Sequence, residues 1–171
     1  MEAPDYPAGP HPKEEENPPI KDLIQIIEKA PQALREAVAG LSDAQLDTKY
    51  KNWTIRQIVH HLADSHTNGY INFKLAITED QPITKAYDRN KWVDLKESKT
   101  GPIEGPLGLL EGLHKQWVQL MRTMTEEEFA RAYINPRNNQ ATKLSSALGT
   151  YAWHVRHHTG QILWMREQKK V

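Results

Sequence analysis

The chain has 171 residues, 38% of them hydrophobic and 26% charged, a balance that suits one domain large enough to bury a core. Its 22 Lys and Arg match its 22 Asp and Glu, and a net charge of zero argues against nucleic acid or an anionic membrane as the main partner. Cysteine is absent, which excludes disulfides, protein thiolate nucleophiles and cysteine metal ligands, so any metal must sit on histidine or oxygen.

Residues 1–19, "MEAPDYPAGPHPKEEENPP", carry six of the eleven prolines and read as an extended arm ahead of a domain spanning 20–171. Within it, "KEEEN" reads as a solvated charge run. From Ile20 a helical stripe begins with Leu23, Ile24 and Ile27. Pro31 is expected to kink or restart this helix, which continues toward Gly40. Ser42–Gln45 and Thr54–Gln57 are capping boxes, the first for a short helix and the second for a long one through Ile77. Residues 80–105 read as loop. Pro106 suits the first position of a third long helix ending near Thr123. Thr125–Glu128 opens another short helix, and "YINPRNNQAT" reads as a small hairpin or a plain loop. A fourth long helix runs from about Lys143 to Gln168. Four long helices, two short ones and no strong strand pattern indicate an all-α bundle. No apolar run approaches the roughly 20 residues of a membrane span, and no basic-then-apolar leader is seen, so the cytoplasm is the expected compartment.

The eight histidines are concentrated in two of these helices. In "WHVRHHTGQ" (Trp153–Gln161), a wheel at about 100° per residue puts His154 and His158 on the flank of the apolar stripe, beside Gln161 and Met165. His157 points away, as a solvated or edge residue. Two imidazoles four residues apart share a helix face and can converge on one ion. The alternative is a hydrogen-bonded polar patch beside the core. In "VHHLADSH" (Val59–His66), periodicity selects His66 as the buried histidine and does not select His61. Arg56 and Arg156 read as surface charges, and Trp53, Trp153 and Trp164 as core or interface residues.

"NWTIRQIVHHLADSH" (Asn52–His66) followed far downstream by "GTYAWHVRHHTGQI" (Gly149–Ile162) resembles the DinB-like metalloprotein superfamily. The resemblance covers about residues 20–168, including "LSDAQLDTKY" and "HTNGYINFKLAITED". It is closest to the YfiT-type branch, provisionally described as metal-dependent hydrolases and related to bacillithiol S-transferases. It implies a four-helix bundle with an up-down-down-up course. It also implies one divalent metal ion, zinc first and nickel second, held by His61, His154 and His158. The last pair agrees with the wheel, whereas for His61 the resemblance and the periodicity disagree. His66 and Gln161 are candidate helpers around such a site. A homodimer is implied by the relatives alone.

Three neutral imidazoles would leave a metal its charge and an open position. That position suits either a small thiol, deprotonated on coordination, or a water of lowered pKa. Val155 stands where zinc proteases carry their glutamate base, which favours thiol transfer to a small electrophile over hydrolysis. A non-catalytic metal-containing stress or binding protein is the remaining alternative.

Overall fold

The computed structural model describes residues 3–169. Its long helices are α1 (Ile20–Val38), α3 (Ile55–Thr78), α6 (Glu104–Thr123) and α8 (Leu144–Lys169). Short helices α2 (Asp43–Leu46), α4 (Arg89–Val93), α5 (Lys96–Thr100) and α7 (Glu126–Ala130) fill the connections. Two small hairpins complete the fold, β1 (Lys49–Tyr50) with β2 (Trp53–Thr54), and β3 (Ala132–Asn135) with β4 (Gln140–Lys143). The 80–105 stretch is thus not a plain loop, because α4 and α5 pack against α3 there. Among the described residues, no helix is long and apolar enough to cross a membrane.

The predicted caps form. Ser42, Thr54 and Thr125 each accept a hydrogen bond from the backbone N–H three residues on, and Gln45, Gln57 and Glu128 reach back to the cap N–H. Pro31 does not restart the first helix; α1 is continuous through it. The third helix begins two residues before Pro106, which still falls among the first four positions, where a missing N–H leaves no bond unmade.

Side-chain pairings give the course of the bundle. Asn17 lies against Gly149, and the Ala37 carbonyl accepts from Arg166, so α1 and α8 run the same way. Trp53 packs near His158 and His66 near Tyr151, so α3 runs against α8. Arg56 reaches the Gly101 carbonyl and Phe73 meets Trp117, so α3 and α6 are parallel. Arg35 pairs with Glu104 and Glu28 with Arg122, so α1 and α6 are antiparallel. The course is up-down-down-up, with the α4–α5 segment inside the long crossover.

The apolar core falls into two clusters. One gathers Leu34, Ile55, Ile58, Leu62, Leu110, Val155 and Ile162; the other gathers Ile27, Phe73, Trp117, Met121, Leu144 and Leu148. Along α3, α6 and α8 the residues between these sets include His66, His114, Tyr151 and His154. A layer of imidazoles therefore sits at mid-height, where the two apolar halves meet.

Arg56 is not a surface charge. It is 2% exposed, and its guanidinium donates to Asp47, to the Asp43 carboxylate and backbone, and to the Gly101 carbonyl at 2.7–3.1 Å. Burying a guanidinium is costly unless its donors are satisfied. Here they clamp α2 and the α5–α6 turn onto the start of α3, the helix that carries His61.

Candidate metal centre

α3 contributes His61 and α8 contributes His154 and His158, and one ring nitrogen from each lies within 4.8 Å of the other two. His61 Nε2 and His154 Nε2 are 3.0 Å apart. The i,i+4 spacing stacks the α8 pair edge to face, with ring centroids 4.6 Å apart. His61 joins them because α3 touches both α6 and α8. The apolar stripe that periodicity picks out is one of two buried faces, and His61 lies on the other, 3% exposed. Trp53, at the start of β2, covers the His61 ring with centroids 4.7 Å apart.

Burial, helped by the charge of Arg89, drives the His61 pKa down to about 3. His154 and His158 lie well below the ordinary value, mainly through burial and then through neighbouring imidazoles. Neutral imidazoles carry the lone pairs that a metal needs.

The surroundings assign the nitrogens. Gln161 Oε1 accepts from His158 Nδ1 at 2.7 Å, which leaves His158 Nε2 unprotonated. The Gln161 amide then donates to His157 Nε2 at 3.0 Å. His157 is not solvated as expected; it is 7% exposed and stacked on Trp153 with centroids 4.8 Å apart. His61 Nδ1 is buried without a hydrogen-bond partner among the described residues. His66, fully buried, holds no place in the three-nitrogen cluster but touches it, with its Nε2 3.4 Å from His154 Nδ1.

This donor set fits a divalent ion. Two nitrogens bound tetrahedrally at about 2.0–2.1 Å would lie roughly 3.3 Å apart, close to the 3.0 Å between His61 and His154. Two lone pairs facing each other at that distance call for a cation or a proton between them.

Two cavities open on the cluster, and His61, His154 and Arg89 line both. One, of about 390 Å³, lies under the β3–β4 hairpin and is walled by Asn68, Asn72, Tyr133, Tyr151, Lys85 and Arg137. The other, of about 460 Å³, is walled by Trp53, Trp153, His157, Gln161 and, from the N-terminal arm, Tyr6. The arm is pinned across α8, with the Gly9 carbonyl accepting from Trp153 Nε1 at 3.0 Å and His11 meeting Thr150 at 3.1 Å. Among the described residues, neither cavity is lined by an aspartate or glutamate. Asp64, half-buried on α3 with its pKa raised to about 6 by burial, lines neither.

Three features escape sequence reasoning: Tyr6 as a cavity wall, Arg56 as a buried clamp and His114 as a neighbour of His66. His114 occupies a stripe position among Leu107, Leu110, Trp117, Val118 and Met121 of α6, and that register is the signal for it.

Comparison with known proteins agrees with this architecture. The Bacillus subtilis (strain 168) protein YfiT is 45% identical over 161 residues, covering 92% of this chain and 90% of its own. A Bacillus cereus (strain 03BB102) protein, also provisionally described as a metal-dependent hydrolase, is 45% identical over 151 residues, covering 87% and 86%. The YfiT structure, described as "a probable metal-dependent hydrolase with an unusual four-helix bundle topology", superposes with a TM-score of 0.90 over 96% of this chain and 97% of its own, at 42% identity. A mycothiol-dependent maleylpyruvate isomerase, 14% identical, shares the fold alone, with a TM-score of 0.66 over 83% of this chain and 60% of its own. Residues 26–162 match the model of the DinB superfamily, and the chain belongs to that family.

Proposed function

We propose that this protein is a divalent-metal-dependent enzyme that joins a small thiol to a small electrophile, with His61, His154 and His158 as the metal ligands. The observation that carries the reading is the pair of cavities meeting at the histidine cluster, neither of them lined by a carboxylate among the described residues. Two organic reactants need two pockets that share the reacting centre, whereas a hydrolase needs one pocket and a base for its water. Zinc suits three neutral imidazoles first, and nickel second. When bound, such an ion lowers the pKa of a thiol or water that it coordinates.

The chain's own residues do the rest. Arg89 stands where both cavities reach the cluster, and with Lys85 and Arg137 it makes the wall of the cavity under the β3–β4 hairpin cationic, suited to a carboxylate-bearing reactant. Asn68 and Asn72, one turn apart on α3, offer amides to the same reactant. Trp53 and Trp153 give the second cavity aromatic walls that keep water from the sulfur. In the transfer a sulfur–carbon bond forms as the bond to the leaving group breaks, and the thiol proton passes to solvent. A cytoplasmic homodimer with no membrane or nucleic-acid partner completes the proposal.

A second reading, hydrolysis of a small molecule, is favoured by the description of YfiT. Cobalt-substituted protein separates the two. Titration with mercaptoacetate should produce sulfur-to-metal charge-transfer absorption if thiol transfer is right. An unchanged spectrum with metal-dependent ester turnover would favour hydrolysis. If neither occurs and metal removal only lowers the melting temperature, the site is structural.

A further inference from the structure

We infer that His66 and His114 form a one-way hydrogen-bond relay that fixes the tautomer of His154, so that His154 Nε2 always offers its lone pair to the centre. The relay starts at a main-chain carbonyl. Ile27 O can only accept, so His114 Nδ1, 2.6 Å away, must carry hydrogen. An uncharged His114 then has an acceptor at Nε2, which lies 2.9 Å from His66 Nδ1. His66 therefore donates from Nδ1 and accepts at Nε2, which lies 3.4 Å from His154 Nδ1. His154 donates through Nδ1 and is left unprotonated at Nε2, the atom 3.0 Å from His61 Nε2. Reversing the direction would need a second proton on His114, a charge that its 1% exposure opposes.

The rings are held for this. His66 is fully buried, with the edges of Trp117 and Tyr151 packed against it at centroid distances of 6.0 and 5.2 Å. The relay thus joins α1, α6, α3 and α8 in one line from a helix backbone to the cluster. His158 receives the same service from Gln161, and His61 receives none among the described residues. His66 and His114 are positioning residues; neither lies in the three-nitrogen group.

The inference rests on the metal reading for its purpose but not for its first test. In metal-free, nitrogen-15-labelled protein, two-bond proton–nitrogen correlation spectra should show His154, His66 and His114 protonated at Nδ1 and not at Nε2. A proton on His154 Nε2 overturns the relay, whatever the metal does. The second test is zinc affinity, read by competition with a chromophoric chelator. His114→Phe keeps the volume and removes both polar atoms, and should weaken zinc binding about 10- to 100-fold. His114→Gln, whose amide offers one donor and one acceptor, should bind within a few-fold of the wild type. A folded H114F protein with wild-type zinc affinity overturns the inference. If H114F fails to fold, the wild-type spectra decide alone. Wild-type protein that binds no zinc while its histidines are protonated as stated would fail the metal reading and leave the relay standing.

Discussion

Gln161 ties two imidazoles together with opposite ends of one amide. Its oxygen accepts from His158 and its nitrogen donates to His157, and the second bond fixes the orientation that the first requires. A leucine at 161 fills similar space but lets the His158 ring choose either tautomer. Gln161→Leu should therefore weaken zinc binding about 10- to 100-fold, measured by chelator competition, while the metal-free protein stays folded and loses about 1–3 kcal/mol for the buried nitrogens left without a partner. Equal affinity would show that His158 needs no orienting partner. The spacing of three between His158 and Gln161 is legible in the sequence. That His157 completes the pair is not, because a wheel built on the apolar stripe places it outside, and Tyr6, which covers it together with Trp153 one turn earlier on α8, comes from the distant N-terminal arm.

At the scale of elements, the site depends on how closely α3, α6 and α8 cross. Gly69 of α3 marks the tightest point: a Cβ there would overlap the Tyr151 ring and lie 2.8 Å from Trp117. Gly69→Ala should cost about 1–3 kcal/mol of unfolding free energy, measured by urea denaturation, and should push Tyr151 into the cavity beneath the hairpin. Unchanged stability would mean that the crossing is looser than described. The capping boxes at Ser42, Thr54 and Thr125, the four long helices and the His154/His158 pair were legible because each is a local pattern within a few residues. His61, Arg56 and His114 were not, because their burial is set by contacts between helices. A single wheel assumes one buried face, and α3 has two. Arg56 sits two residues after a cap, where a charge is ordinarily exposed, and only the fold brings Asp43, Asp47 and the Gly101 carbonyl around it. The resemblance supplied His61 where periodicity could not.

Across the whole molecule, the two apolar clusters meet at a layer of polar rings instead of continuing through it. A core built only for stability would fill that layer with aliphatic side chains. Four buried imidazoles are given a direction here, His114, His66 and His154 from the Ile27 carbonyl through the relay and His158 from Gln161, whereas His61 Nδ1 has no partner among the described residues. An ion that binds only the folded chain would add stability in proportion to the logarithm of its concentration over its dissociation constant. The arm and the β3–β4 hairpin then close opposite sides of the centre, and each supplies a wall to one cavity.

The most direct measurement is anomalous X-ray diffraction at the zinc edge, on crystals of untagged protein purified without a metal resin and supplied with zinc. One peak per chain is expected, about 2.0–2.1 Å from Nε2 of His61, His154 and His158, with no fourth protein ligand and its free side toward the two cavities. No peak at the cluster, a peak that His61 does not touch, or one closed off by a fourth protein atom would contradict the account.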